Sequence, residues 1–300
     1  MGGADVFDFN YSVPLNAMNG TLQLRYAPNS NKVTQAPFNN FDIHGSSQLY
    51  EISYRQPLVR TSREEFALSL GFSYQDGQTF TFAGPTPFSL GPDSEGNTRT
   101  RVLKFGQDYI RRDVSGAWSL RSLFSIGLDV FNPTINSGNI PDGRFFSWLG
   151  QVQRLQAFSQ DNFLILQAEA QLTPNGLLPS QQFVIGGGES LRGYRQNVRA
   201  GDNGVRFSAE DRQTLMRDET GASTVQFASF LDLGTVWNSG NNPNTLQGQN
   251  FLVGLGVGLI WELLPRLNVR VDYAIPLVDI SDRGNNAQDR GLYFNLNYQL

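Results

Sequence analysis

Apolar and polar residues alternate with a period of two along nearly the whole chain. Near the C-terminus, for example, Phe294 and Leu296 fall on one face of an extended chain and Asn295 falls on the other. This alternation is typical of β-strands whose two faces meet different surroundings. It predicts an all-β protein, because no segment shows the period of an amphipathic helix. The pattern predicts about thirteen strands, at residues 5–13, 20–27, 48–55, 65–75, 99–110, 116–130, 144–154, 162–173, 204–215, 223–235, 250–262, 266–276 and 290–300.

The links between these strands alternate in length. The long links are rich in Asn, Gly, Pro, Ser and Asp, and they lie at 28–47, 75–98, 131–143, 174–203, 236–249 and 277–289. The links between them are shorter, at 15–20, 56–64, 111–115, 155–161, 214–222 and 263–266. Short turns at one end of a meander and long loops at the other are typical of outer-membrane β-barrels.

A soluble β-sandwich is the alternative reading of alternating strands. In a sandwich the apolar faces pack on each other, whereas in a membrane barrel they contact lipid and the polar faces line a lumen. Charged side chains such as Arg25, Glu169 and Asp272 lie on the polar faces, and aromatic residues gather near strand ends, which favours the barrel. The longest apolar run, 251–261, is about half of the ~20 residues that a spanning helix needs. The sequence therefore predicts a transmembrane antiparallel β-barrel in contact with outer-membrane lipid.

Composition argues against several other classes of protein. The chain has no cysteine and a single histidine, His44, so we expect no catalytic residues of a His-dependent triad and no metal site. The net charge of −4 argues against nucleic-acid binding. The glycines at 186–188 are not followed by Gly-Lys-Ser/Thr, so we expect neither a nucleotide nor another cofactor.

A glycine- and arginine-rich segment at 184–204 interrupts the alternation. Its central tetrad is Leu191-Arg192-Gly193-Tyr194. A long loop on this side can fold back into the lumen, where an unpaired guanidinium would be costly. We therefore expect Arg192 to have an acidic partner on a lumenal face; the alternative is an arginine exposed to water.

The strand at 223–235 offers that partner. Its alternation directs apolar side chains toward lipid, namely Val225, Phe227, Leu231 and Leu233. Phe230, Asp232 and Gly234 then face the lumen, and Glu210 does so on the preceding strand. Because a guanidinium suits two carboxylates, the sequence predicts that Arg192 bridges to Asp232, with Glu210 as a second acceptor.

These residues carry a family resemblance. The Leu191–Tyr194 tetrad, preceded by FVIGGGES, resembles the sixth-loop motif of the Omp85 superfamily, and Phe230-x-Asp232-x-Gly234 resembles its paired barrel motif. The segments YSVPLN and GGGESLRGYRQ resemble the two-partner secretion transporters of the haemolysin secretion/activation family. That family usually has Val where Leu191 stands, and its chains often end in an aromatic residue rather than Leu300.

The resemblance implies a sixteen-stranded barrel that follows POTRA domains and a signal peptide. The loop at 174–203 would join the eleventh and twelfth strands, and the strand at 5–13 would be the fourth. Residues 1–300 are therefore expected to be a partial barrel domain without POTRA domains or the first strands. The implied function is export of a secreted exoprotein across a Gram-negative outer membrane. The alternatives are an Omp85-type factor that inserts outer-membrane proteins and, third, a general diffusion porin.

Overall fold

The computed structural model describes residues 4–33, 38–246, 248–264 and 266–298. These residues form strands joined by turns and loops, with two short 3-10 helices at Phe38–Phe41 and Pro179–Gln181. No helix in the described ranges has the length and hydrophobicity needed to cross a bilayer. The strands are β1 (Ala4–Val6), β2 (Phe9–Pro14), β3 (Thr21–Lys32), β4 (His44–Arg60), β5 (Glu64–Thr81), β6 (Gly84–Pro85), β7 (Asn97–Asp113), β8 (Gly116–Gly127), β9 (Phe146–Ala157), β10 (Asn162–Leu172), β11 (Phe183–Ile185), β12 (Arg199–Gly201), β13 (Asn203–Arg217), β14 (Ser223–Trp237), β15 (Phe251–Leu264), β16 (Leu267–Pro276) and β17 (Leu292–Tyr298).

Each of the thirteen predicted strands is present in one large antiparallel sheet. The predicted strand at 5–13 appears as β1 and β2, which both pair with β3. The predicted strand at 116–130 ends earlier, at Gly127. Three other predicted strands are too short at the long-loop end, because β3, β4 and β5 continue into segments 28–32, 44–47 and 76–81. Those segments are held by hairpin hydrogen bonds rather than by an alternating pattern. The last two residues of the predicted final strand, 299–300, which include Leu300, lie outside the described residues.

Sequential strands are neighbours in the sheet. The order is β1-β3-β4-β5-β7-β8-β9-β10-β13-β14-β15-β16-β17, with β6 beside β5. The sheet is open among the described residues, since β2 and β17 form its two edges. A separate two-stranded sheet, β11 with β12, lies inside the predicted loop at 174–203.

The two faces of the large sheet are the reverse of those in a soluble protein. In β15, Leu255, Val257 and Leu259 are 45%, 43% and 45% exposed. In β14, Phe230 and Asp232 are 2% and 1% exposed. An apolar face left open and a polar face that is covered suit lipid outside and a lumen inside. The sandwich alternative is wrong, because among the described residues no second large sheet packs on the apolar face.

The main apolar cluster lies on the polar side of the sheet and is built largely by the loop. Its buried members are Phe183, Ile185, Leu191, Tyr194, Val198, Val236, Leu252 and Ile280. The first five belong to the loop at 174–203, whereas Val236 lies in β14 and Leu252 lies in β15. The loop therefore packs against the inner face of the sheet, as the sequence predicts.

Candidate functional site

A tight turn shapes the tip of the loop. Gly187 and Leu191 exchange two backbone hydrogen bonds of 3.1 Å, and Ser190 Oγ donates to the carbonyl of Gly186. Gly193 has φ 101°, a conformation that favours glycine. A Cβ at Gly193 would also lie 3.2 Å from the backbone of Ile275. The turn and this close approach bring Arg192 against the inner wall.

Arg192 is held by Asp232 through three hydrogen bonds. Nε donates to Oδ2 at 2.7 Å, Nη2 donates to Oδ1 at 2.8 Å, and the backbone N–H donates to Oδ2 at 3.1 Å. The fork geometry fixes the orientation of the guanidinium as well as its position. Ser208 Oγ donates to Asp232 Oδ1 at 2.6 Å, which fills the remaining acceptor capacity of this carboxylate.

Glu210 is the second acceptor. Arg192 Nη1 donates to Glu210 Oε2 at 2.6 Å, and Arg270 and Arg212 donate to the same carboxylate at 2.8 Å and 2.6 Å. We call Arg192, Asp232 and Glu210 the latch. Asp272 accepts from Arg270 at 2.8 Å, so three guanidinium groups face three carboxylates and the formal charge of the cluster is zero. Buried charges are tolerated when paired in this way.

The remaining predicted motif residues either pack against the latch or leave space for the loop tip. The guanidinium carbon of Arg192 lies 3.3 Å from the centre of the Phe230 ring, a cation–π contact. Gly234 leaves room for Leu191, because a Cβ there would be 3.2 Å from Leu191 Cδ1. On the next strand, a Cβ at Gly254 would lie 1.8 Å from the carbonyl oxygen of Arg192. The carbonyl of Arg192 therefore occupies space that any larger residue at position 254 would fill.

Two tyrosine hydroxyls anchor the chain at Gly193 and Tyr194. Tyr194 Oη lies 3.0 and 2.8 Å from the carbonyl oxygens of Val253 and Val278, so its one hydrogen can be donated to either of them. Tyr293, on β17, accepts from Gly193 N–H at 2.8 Å and donates to the carbonyl of Tyr194 at 2.8 Å. Sequence reasoning did not assign a role to Tyr293. The sequence feature that could have indicated such a role is a tyrosine ring on the otherwise polar face of its strand.

Burial has different effects on the ionisation of the loop residues. It raises the pKa of the Tyr194 phenol, because the anion would lose its hydration. For Arg192, burial alone lowers the pKa, but hydrogen bonds to Asp232 and Glu210 outweigh it and raise the pKa. Both groups therefore keep their ordinary protonation at neutral pH.

A second set of contacts holds the outer part of the loop. Arg195 Nη2 and Arg199 Nη2 each lie 2.8 Å from the carboxylate of Asp282. The hydrogen bond from Arg199 lowers the pKa of Asp282. Separately, Asp202 is fully buried and accepts hydrogen bonds from Leu177 N–H, Ser239 N–H and the Asn242 amide. These contacts tie the loop to its neighbours, and sequence reasoning did not predict them.

Beside the latch lies a cavity of about 1280 Å³. Polar and apolar groups contribute about equally to its lining, which carries both signs of charge and includes Asp108, Arg121, Glu169 and Arg206 as well as Arg192 and Asp232 of the latch. The described residues contain no group of three or more His, Cys, Asp or Glu side chains suited to a metal ion. The charged and polar groups that line this cavity can form ion pairs and hydrogen bonds.

An exposed apolar face, a polar interior and a loop fixed on the inner wall define a transmembrane β-barrel with an inserted loop. Within that class, the chain belongs to the family of haemolysin secretion/activation proteins ShlB/FhaC/HecB, whose model matches residues 2–260. The predicted family and the predicted location in the outer membrane of a Gram-negative bacterium are confirmed. A search of the curated proteins found no match.

Solved structures support the same fold. CdiB from Escherichia coli matches with a TM-score of 0.79 and 17% identity, over 98% of this chain and 52% of that chain. CdiB from Acinetobacter baumannii matches with a TM-score of 0.72 and 16% identity, over 98% and 50%. BamA from Haemophilus ducreyi, solved without POTRA domains 1–3, matches with a TM-score of 0.59 and 13% identity, over 99% and 70%. The chain thus spans about half the length of the CdiB structures, and the assignment of 1–300 as a partial barrel domain stays a prediction.

Proposed function

We propose that this chain forms an outer-membrane pore that exports a partner exoprotein by two-partner secretion, as a transporter and not an enzyme. Membership of the haemolysin secretion/activation family supports this proposal. The observation that carries it is the buried pairing of Arg192 with Asp232 on the lumenal wall. Burying an ion pair carries a desolvation cost, so a loop tip fixed in this way argues for a role of the loop in the function.

In this proposal each predicted site residue has a part. Arg192 fixes the loop through Asp232 and Glu210, and Phe230 supports its guanidinium. Gly193 and Gly234 provide clearance, whereas Leu191 and Tyr194 pack in the apolar cluster. The cargo is an extended polypeptide that passes through the polar lumen. No nucleotide, nucleic acid or cofactor takes part, and folding of the cargo outside the cell gives the direction.

The second candidate is an assembly factor that inserts other barrel proteins into the membrane. The similarity to BamA favours it, although that TM-score of 0.59 is lower than the 0.79 for CdiB from Escherichia coli. The two functions differ in what is lost when the protein is absent. A diffusion porin, the third possibility, predicts a large stable conductance that does not depend on the loop tip.

Deletion of the gene in its native host tests the proposal. We expect one exoprotein to disappear from the culture medium while the other outer-membrane proteins keep their levels, measured by quantitative proteomics of both fractions. A general fall in outer-membrane proteins would instead support the assembly factor. If the exoproteins in the culture medium were unchanged after deletion, the proposed export function would be wrong.

A further inference from the structure

The chain leaves the large sheet just after β8, at the long-loop end. Leu128 N–H donates to the carbonyl of Arg101 on β7 at 2.8 Å, which continues the ladder one residue beyond β8. In a regular antiparallel ladder the N–H two residues further on would donate to the carbonyl of Arg99. Thr134 N–H makes that bond instead, at 2.9 Å, so four additional residues are accommodated between the two bonds. We call residues 129–133, which project from the sheet, the projecting loop.

The projecting loop lies on the outer face of the sheet, which meets lipid. The ring of Phe131 makes an edge contact with the ring of Phe72 on β5, with the ring centres 6.2 Å apart. Phe72 shares its face of β5 with Leu70, and Leu70 is directly opposite Phe105 on β7. Leu70 and Phe105 are 56% and 40% exposed, as expected of the apolar face. The loop therefore turns outward over the barrel wall and not into the lumen.

A row of tyrosines shows the level at which the projecting loop meets the bilayer. Tyr26, Tyr50 and Tyr74 are directly paired across β3, β4 and β5 on the outer face. Tyrosine is enriched where a membrane meets water. Phe72 lies two residues from Tyr74 along β5, on the side away from the long loops. Phe131, which contacts Phe72, is therefore on the hydrocarbon side of the tyrosine row.

The backbone of the projecting loop is strained at its most exposed apolar residue. Phe131 and Asn132 have φ values of 54° and 57°, a conformation that is uncommon for residues other than glycine and an outlier for a bulky one. Val130 and Phe131 are 40% and 70% exposed. In water this arrangement would combine backbone strain with exposed apolar surface. In a bilayer, the removal of both side chains from water offsets the strain.

Arg101 holds the projecting loop against the wall. Its Nε donates to the carbonyl of Phe131 at 3.0 Å, and its Nη1 donates to the carbonyl of Gln75 and to Asp76 Oδ1, at 3.0 and 2.8 Å. The guanidinium carbon lies 3.3 Å from the centre of the Tyr74 ring, and the side chain is 1% exposed. Both an unpaired arginine and an unpaired carbonyl are costly at membrane level. The contact between Arg101 and Phe131 satisfies both groups at once.

We propose that Val130 and Phe131 insert among the acyl chains of the outer lipid leaflet and anchor the long-loop end of the barrel in the membrane, with Arg101 as the residue that positions them. Long loops lie on the cell-surface side of outer-membrane barrels, which identifies the leaflet. A lipid partner follows from the contact with Phe72, because the loop continues a face that already meets lipid. The anchor concerns the membrane and does not depend on the proposed export function.

Site-directed spin labelling tests the anchor. These 300 residues contain no cysteine, so Phe131→Cys gives a single nitroxide in a cysteine-free form of the complete protein, reconstituted in phosphatidylcholine vesicles. Collision rates are measured with oxygen, which partitions into hydrocarbon, and with a water-soluble nickel complex, which does not. The lipid reference is Leu255→Cys on the outer face of β15, and the water reference is Asn241→Cys in the loop at 236–249. We expect the oxygen-to-nickel ratio at 131 to lie within about twofold of the lipid reference and about tenfold above the water reference.

A ratio at 131 equal to that at Asn241→Cys would overturn the inference and would leave Phe131 open to water or to a protein partner. Arg101→Gln, added to the labelled Phe131→Cys variant, tests the role of Arg101. We expect the ratio at 131 to fall about fivefold, whereas the same change should leave the ratio at Leu255→Cys unaltered because the barrel stays inserted. A ratio at 131 that keeps the lipid value in Arg101→Gln would contradict the positioning role. Neither measurement requires an exoprotein, so a failure of the proposed export function would leave this result unaffected.

Discussion

Arg192 and Asp232 are 40 positions apart in sequence, yet the backbone N–H and two guanidinium nitrogens of Arg192 all donate to the Asp232 carboxylate. One carboxylate thus fixes both the main chain and the side chain of the loop tip. Because both side chains are buried, removal of either partner leaves an uncompensated charge on the inner wall. Such losses cost about 3–5 kcal/mol.

Arg192→Ala and Asp232→Ala should each reduce secretion of the exoprotein by at least tenfold while the barrel still reaches the outer membrane. The reason is that the loop loses its fixed position, whereas the strand pairing is unaffected. Secretion is measured in the culture medium and the barrel by its heat-modifiable migration on gels. Arg217→Ala, an exposed arginine at the short-turn end of β13, is the matched control. Unchanged secretion in both latch variants would contradict a role for the latch.

Tyr293→Phe should loosen the loop tip without unfolding the sheet. The phenyl ring keeps its packing, but the hydrogen bonds to Gly193 and Tyr194 are lost. We expect docking of the tip to weaken by about 1–3 kcal/mol, seen as faster hydrogen exchange in a peptide spanning 190–195. Tyr298→Phe, on the same strand but exposed, should leave that exchange unchanged. Equal protection in both variants would show that the phenol does not anchor the tip.

Gly254→Ala should displace the loop tip from the wall. A methyl group at this position would lie 1.8 Å from the Arg192 carbonyl, which is far inside van der Waals contact. We expect secretion to fall by about as much as in Arg192→Ala, because either change separates the tip from Asp232. Gly240→Ala is the control, since no atom lies within 4 Å of a Cβ there. A fully active Gly254→Ala variant would indicate that the tip tolerates displacement.

Acid should release the outer part of the loop through Asp282. Its pKa is lowered by Arg199, so its contribution to stability is complete above the ordinary value of 3.8 and is lost as the pH falls through the lowered pKa. We expect hydrogen exchange near 195–199, corrected for the intrinsic rate, to accelerate as the pH falls below about 4. In Asp282→Asn the exchange should be fast already at neutral pH.

The control for this pH dependence is Asp218→Asn. The pKa of Asp218 is also lowered, but its partners Thr220 and Ala222 lie within its own turn. The acid response of the 195–199 segment should therefore persist in this variant. A response that disappears in Asp218→Asn, or persists unchanged in Asp282→Asn, would exclude Asp282 as its source.

The strands, and the face of each that meets lipid, follow from the amino-acid pattern. The period-two pattern is a local property, since each side chain's face follows from its position along one strand. The same logic placed Asp232 and Glu210 on the inner wall, and the charge of Arg192 indicated the need for a partner there. The pattern does not show the extensions of β3, β4 and β5, because hydrogen bonding, and not alternation, holds those segments.

The way in which the loop is held depends on contacts between distant parts of the chain. Arg270 reaches Glu210 across 60 positions and Tyr293 reaches Gly193 across 100, and no periodicity relates residues so far apart. The pairing of β11 with β12 and the burial of Asp202 likewise depend on which loops meet. These contacts form because several strands and loops surround the same interior. Alternation shows only which side of a single strand each residue is on.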